Sequence, residues 1–311
     1  MKSIALAPYS IKIRHKYSQE PEVISAFGGN NDLLQFFSEV LRKVKREDEH
    51  DESAKRVLSL LKVSRSERTI SGIFEVGEYG SESTIKDVVQ RKVVHQKQTT
   101  HADMMRFYFL VNLPTGRTKG ALLMQKMGVH GIFTAVEKLL MRHMKERHDD
   151  FLLELNAMSS QGIFDRYVRK GDLRTIRLIR YQVPSDVAEK YAIGHREVKG
   201  SAELVIRLRG AHGMPYRDRI GKFFGGELPL DEVVELPSLP FEPETIKFEL
   251  SINGKRRTIG MSDPADMRGE YDVTKDVKMG GDGNPRFESI DAVARELLMD
   301  INATMYGPEG A

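Results

Sequence analysis

The chain has 311 residues, of which 40% are hydrophobic and 30% charged, with 48 Lys+Arg against 45 Asp+Glu and no cysteine. This is the composition of a globular protein, and the missing thiols exclude disulfides, cysteine zinc sites, iron–sulfur ligation and thiol nucleophiles, which suits a reducing cytoplasm. No apolar run approaches the ~18 residues of a membrane-spanning helix, and Pro8 breaks the short apolar stretch of "MKSIALAPYS", so no secretory leader is expected.

In chain order, "KSIALAPYSIKIR" at 2–14 alternates polar and apolar residues and predicts a strand. "NNDLLQFFSEVLRKVKRE" predicts a helix: Asn31 is placed to cap it, and Leu33, Leu34, Phe37, Val40, Leu41 and Val44 recur at helical spacing. After the charged link "REDEHDE", "SAKRVLSLLKV" reads as a short second helix. Residues 68–79 alternate like a strand, and "IKDVVQRKVVHQK" reads as one more. "MMRFYFLVNLP" and "KGALLMQKMG" predict a strand pair around the turn at Thr115-Gly116. "GIFTAVEKLLMRHMKER" predicts an amphipathic helix with Ile132, Val136, Leu139, Leu140 and Met144 on one face.

The second half repeats this grammar. Strands are expected at 151–157, 173–183, 199–209, 244–252 and 255–261, the last two flanking the hairpin signal Asn253-Gly254. Helices are expected near 185–192, 216–224 and 288–306, the last carrying Ile290, Val293, Leu297, Leu298 and Ile301 on one face. The proline-rich "ELPSLPFEPE" is an extended connector. Strands in runs with helices between them give an α+β fold, with mixed or antiparallel sheets and packed helices. The length suits two domains, an N-terminal α+β domain over 1–150 and a C-terminal α+β domain over 151–311.

The small net charge of +3 hides segregation: about 0 over residues 1–90, about +12 over 91–222 and about −9 over 223–311. A basic middle beside an acidic end suggests a face for a polyanion. The cations concentrate in "RYVRKGD" (Arg166, Arg169, Lys170), in "LRTIRLIRY" (Arg174, Arg177, Arg180, Tyr181) and in "GSAELVIRLRGAHGMPYRDRIGKFF". In the last, Arg207 and Arg209 are two apart and share a strand face, and Arg217 opens a predicted helix that also carries Arg219 and Lys222. Glycines at 210 and 213 leave room for a phosphate backbone, and guanidinium groups match phosphodiester oxygens. Arg174, Arg177, Arg207, Arg209, Arg217, Arg219 and Lys222 are therefore the candidate DNA-binding residues. The competing reading pairs them with Asp165, Asp172, Glu203 and Asp218. Arg256 and Arg257, beside the Asn253-Gly254 turn, are weaker candidates.

Other motifs carry little chemistry. His143 and His148 are five apart, off the helical spacing of a metal pair. "GKFFGG" lacks the loop and hydroxyl of a phosphate-binding loop, and "GGDGNP" has too few carboxylates for calcium. Asp263, Asp266 and Asp272 read as loop carboxylates. Asp87, Gln90 and Lys92, with Glu75 and Glu78 upstream, loosely imitate the acid–acid/glutamine–lysine arrangement of metal-dependent nucleases. No motif requires a cofactor or a resident metal.

The order of elements from about 100 to 306 resembles the lambda-type RexA phage-exclusion family: "RFYFLV", "MGVHGIFTAVEKLL", "LRTIRLIRYQVPSDV", "GSAELVIRLR" with "YRDRIGKFF", "IKFELSINGK" and a closing amphipathic helix. It is also similar in general kind to KwaB-type defence proteins. The resemblance implies a DNA-binding dimer acting against infecting phage, with a separate membrane-associated effector as partner. Residues 1–90 are longer than that pattern and carry an extra helical segment. The expectation is a cytoplasmic, homodimeric, sequence-tolerant DNA-binding protein without direct membrane insertion. The alternatives are a nuclease using Asp87 and Lys92 and a protein–protein adaptor that binds no nucleic acid.

Overall fold

Strand β1 (Ile4–His15) buries Tyr9, Ile11 and Ile13 from alternate positions, as its sequence predicts. The computed structural model describes residues 3–128, 130–158, 172–180, 202–207, 219, 222, 227–228, 245–252, 255–261 and 270–306.

Helix α1 (Leu33–Arg46) buries Leu33, Leu34, Phe36, Phe37, Val40, Leu41 and Val44. Its N-cap is Asp32, one residue later than the sequence suggests. The Asp32 carboxylate accepts from the Leu34 N–H at 2.9 Å, whereas the Asn31 amide donates to the Phe27 carbonyl at 3.2 Å. Arg68 grips the same carboxylate, with Nη2 at 2.9 Å from Oδ1, so the cap is fixed from both sides.

The segment expected as a second helix is instead strand β3 (Arg56–Ser66), flanked by β2 (Glu49–Asp51) and β4 (Thr69–Glu78). It pairs with β4 from Arg56↔Glu78 to Ser66↔Thr69, and the register shifts between Leu60 and Lys62. Val57, Leu58, Leu60 and Leu61 have a helix-like spacing, but on the strand Leu58 and Leu60 alternate into the core and Leu61 falls exposed at the bulge. Gly72 of β4 lies against the same hairpin: a Cβ there would sit 2.2 Å from the Lys62 carbonyl oxygen and 2.8 Å from the Phe109 ring.

The single strand expected over 85–97 is two, β5 (Ser83–Asp87) and β6 (Lys92–Lys97), joined by a four-residue turn into a separate ribbon. The predicted pair around Thr115-Gly116 is present as β7 (Asp103–Asn112) and β8 (Gly120–Met127). Then follow β9 (His130–Gly131), helix α2 (Phe133–Arg147) and β10 (Phe151–Ala157). The later strands are β11 (Asp172–Arg180), β12 (Ala202–Arg207), β13 (Thr245–Ile252), β14 (Lys255–Met261) and β15 (Glu270–Asp272), before helix α3 (Phe287–Tyr306). The proline-rich connector and the helix expected at 185–192 lie outside the described residues.

The architecture is α+β. Among the described residues, thirteen strands form one antiparallel sheet, in the order β12-β11-β13-β14-β15-β1-β8-β7-β4-β3-β2, with β10 on β1 and β9 on β8. The chain divides into two compact units. One holds residues 1–4, 9–156 and 276–298, the other 5–8, 157–275 and 299–311. In the first, α1 packs against β3 and α2, Phe107–Val111 and Ala121–Met124 are buried on β7 and β8, and Tyr9 stacks on Phe133 at 4.2 Å. Each large buried side chain there contributes roughly 1.5–3 kcal/mol. In the second, Ile176, Leu178, Ile246, Phe248, Leu250, Ile259 and Tyr271 are buried from adjacent strands. Among the described residues, no helix is long and apolar enough to cross a membrane.

Candidate nucleic-acid interface

β11 and β12 pair antiparallel, with Thr175 opposite Arg207 and Arg177 opposite Val205. Arg177 and Arg207 therefore share one face, the opposite face from Ile176 and Leu178. Carboxylates share it too. Arg177 Nη1 lies 3.3 Å from Glu203 and Nη2 4.0 Å from Glu249, and Lys247 is bound to Asp272 at 2.6 Å. Burial works to raise Asp272, but hydrogen bonds from Lys247 and Thr274 outweigh it and hold the carboxyl below its ordinary value. Asp272, read from sequence as a loop residue, is thus a strand residue with a structural partner. Arg174 is exposed beside a bulge between Leu173 and Thr175 and also has a partner, while Arg207 is exposed at the end of β12.

Arg219, which has a partner, and exposed Lys222 are both helical positions. Arg209, Arg217, Arg166, Arg169, Lys170, Tyr181, Asp263 and Asp266 lie outside the described residues. Arg256 and Arg257 fall on β14, opposite Ser251 and Leu250. The structure thus joins Arg174, Arg177 and Arg207 on two neighbouring strands, with Arg177 already matched by acids.

A second cationic surface, which sequence reasoning missed, belongs to the helices of the first unit. α1 and α2 run antiparallel: Phe36 meets His148 at 6.1 Å and Glu39 meets Arg147 at 2.6 Å. Past the end of α1, Glu49 pairs with Arg142, and Asp51 binds Lys138 at 3.1 Å, both further back along α2. Asp51 is held far below the ordinary carboxylate value by Ser53, the Ala54 N–H and Lys138. Two carboxylates of the acidic run after α1, Glu49 and Asp51, are therefore drawn to α2. Arg42, Lys43, Lys45 and Arg46 remain exposed, and none has an ion pair among the described residues. Arg42, Lys43 and Arg46 line a shallow groove of about 480 Å³ with Arg147, Glu39 and Glu47.

His143 reports the local field. It is fully buried, and its pKa is lowered first by burial and then by the charge of Lys43. Glu146 lies 3.1 Å from Nδ1, yet neither ring nitrogen has a partner in hydrogen-bond geometry. His143 is a core histidine. His148 is lowered by burial and then by Arg147. The signal for this surface was present as "RKVKR" at 42–46, but the acids immediately after it cancel it in any segment average.

The nuclease-like residues are dispersed. Glu75 binds Arg106 at 2.9 Å and Glu78 binds Arg56 at 2.7 Å. Asp87 stands opposite Lys92 on the ribbon, and its Oδ1 accepts from the N–H groups of Val89 and Gln90, both at 2.8 Å. Among the described residues, no three His, Asp or Glu side chains are grouped to hold a metal ion. In "GGDGNP", Asp282 Oδ1 accepts from the Asn284 N–H at 3.1 Å and Gly283 has φ 78°, so this is a turn. In comparison with known proteins, no family model and no curated protein matches the chain.

Proposed function

We propose that this protein binds duplex DNA in a sequence-tolerant way, through contacts to the phosphate backbone. The observation that carries this reading is the set Arg42, Lys43, Lys45 and Arg46 on the last turns of α1, without ion pairs among the described residues, while Glu49 and Asp51 of the acids that follow are held by α2. Four clustered cations at a helix end supply charge that phosphates neutralise with release of counterions. Arg207 and Lys222, with Arg174, Arg209, Arg217 and Arg219, form the second proposed contact set, and Arg177 takes part by exchanging its acids for phosphate. The setting proposed with it is exclusion of infecting phage by a cytoplasmic homodimer that signals to a separate, membrane-associated effector. That setting is supported by the resemblance in element order to RexA-like proteins.

Fluorescence anisotropy with labelled duplexes of unrelated sequence, across a salt series, tests the reading. Equal affinities for the sequences and a steep loss with salt are expected. Replacing Arg42, Lys43, Lys45 and Arg46 with alanine should flatten the slope of log K against log salt by about 3.6 if each meets one phosphate. Absence of duplex binding at low salt would sink the proposal.

A further inference from the structure

The β5–β6 ribbon is unlike the rest of the first unit. It forms a two-stranded sheet of its own, and nearly every side chain on both strands is exposed. Its tip presents Val88 and Val89, 84% and 87% exposed, and Ile85, Val93 and Val94 are exposed along its length. An isolated two-stranded hairpin is marginal in water. This one is held by specific devices. Asp87 caps the turn through two 2.8 Å hydrogen bonds, and at the base the Gly80 N–H donates to the Thr99 carbonyl at 2.7 Å. Lys97 also donates to the Glu78 carbonyl at 3.1 Å. The turn is closed by Arg91 at φ 56°, a left-handed position that glycine or asparagine fills more easily.

The charge is one-sided. From 83 to 97 the ribbon has Lys86, Arg91, Lys92 and Lys97 against the single carboxylate of Asp87, which is occupied by the turn. Lys86, Arg91 and Lys92 have no ion pair among the described residues. We propose that this ribbon is a DNA-embracing arm, lying along the minor groove with its cations on flanking phosphates and its valine tip wedged against a base step. The proposal rests on the DNA-binding reading above and adds to it the deformation of the duplex.

Three features favour DNA over other occupants. The cations run from tip to base over strands about 17 Å long, matching a phosphate track rather than a collar at one depth. Arg91 sits within the tip itself, and the tip has no aromatic residue, which disfavours burial in a lipid interface. Edge-to-edge pairing with a second copy is opposed by lysines on both strands and by the register shift between Ile85 and Lys86. Apolar tips that part base steps are a recurring device of sequence-tolerant minor-groove binders.

The test compares the unaltered protein with V88S/V89S and with K86A/R91G/K92A. Anisotropy at several salt concentrations gives affinity, and energy transfer between dyes on the two duplex ends gives bending. The unaltered protein should bind and bend the duplex. V88S/V89S should keep affinity within a few-fold and lose the bend, and K86A/R91G/K92A should lower the salt slope by about 2.7. Arg91→Gly also suits the left-handed turn, so weaker binding with an unchanged melting curve excludes misfolding. If the unaltered protein binds but both variants bind and bend equally well, the arm is refuted and DNA binding stands. If the unaltered protein binds no duplex, both fall. The arm is also overturned if V88S/V89S leaves DNA bending intact but abolishes flotation with vesicles of equal parts phosphatidylcholine and phosphatidylserine. Loss of self-association in light scattering, with bending intact, overturns it too.

Discussion

The Tyr108 hydroxyl donates to the Asp291 carboxylate at 2.8 Å, joining strand β7 to helix α3 across 183 positions of sequence. Arg295, one turn along α3, binds the other oxygen of Asp291 at 2.7 Å. Burial works to raise Asp291, but the surrounding Ser71, Arg295 and Tyr108 outweigh it and hold the carboxyl below its ordinary value. Tyr108 is pushed up out of its ordinary range by burial and then by the Asp291 charge. Asp291→Ala strands a buried hydroxyl and a guanidinium and should cost about 2–4 kcal/mol, against about 1 kcal/mol for Tyr108→Phe. Urea unfolding of the two variants checks the ranking.

The pH dependence has a definite sign. Asp32 and Asp291 are both held below ordinary carboxylate values in the fold, so unfolding raises their proton affinity. Their stabilisation is complete above the ordinary value of 3.8 and is lost as pH falls through the depressed values. Urea midpoints should fall steeply in that acid range, and Asp291→Asn should make the fall shallower.

His143 acts in a higher window. Its folded pKa lies below its ordinary 6.5, so stability should already decline as pH drops through 6.5 and flatten only below the folded value. His143→Leu retains bulk without a titratable ring and should remove that part of the decline, as melting temperatures between neutral and mildly acidic pH would show.

Gly72 has no space for a side chain. Gly72→Ala drives a methyl into the Lys62 carbonyl and the Phe109 ring and should destabilise by about 1–3 kcal/mol. Gly116, where a Cβ meets nothing within 4 Å, is not crowded, but its φ of 71° makes Gly116→Ala a test of backbone strain alone. The two losses, measured by thermal unfolding, separate crowding from conformation.

The fold was largely legible where periodicity was clean. Leu33 to Val44 marked α1, Asn253-Gly254 marked the pairing of β13 with β14, and Ile290 to Ile301 marked α3. It failed at "SAKRVLSLLKV", where a bulge at Leu61 imitates helical spacing, and at 85–97, where a left-handed arginine rather than glycine turns the chain. The candidate site was legible in residue type but not in compensation. Nothing local reveals that Arg177 meets Glu203 and Glu249, or that Glu49 and Asp51 turn away from the neighbouring basic run. Those outcomes depend on which strand or helix a carboxylate faces after folding.

That division of acids has a further consequence. Lys138 and Arg142 act as a holdfast that keeps Asp51 and Glu49 off the upstream basic run. Subtracting positive charge from α2 would therefore count twice, once directly and once by releasing carboxylates to silence α1. Affinity for a polyanion should then respond to residues that need never touch it.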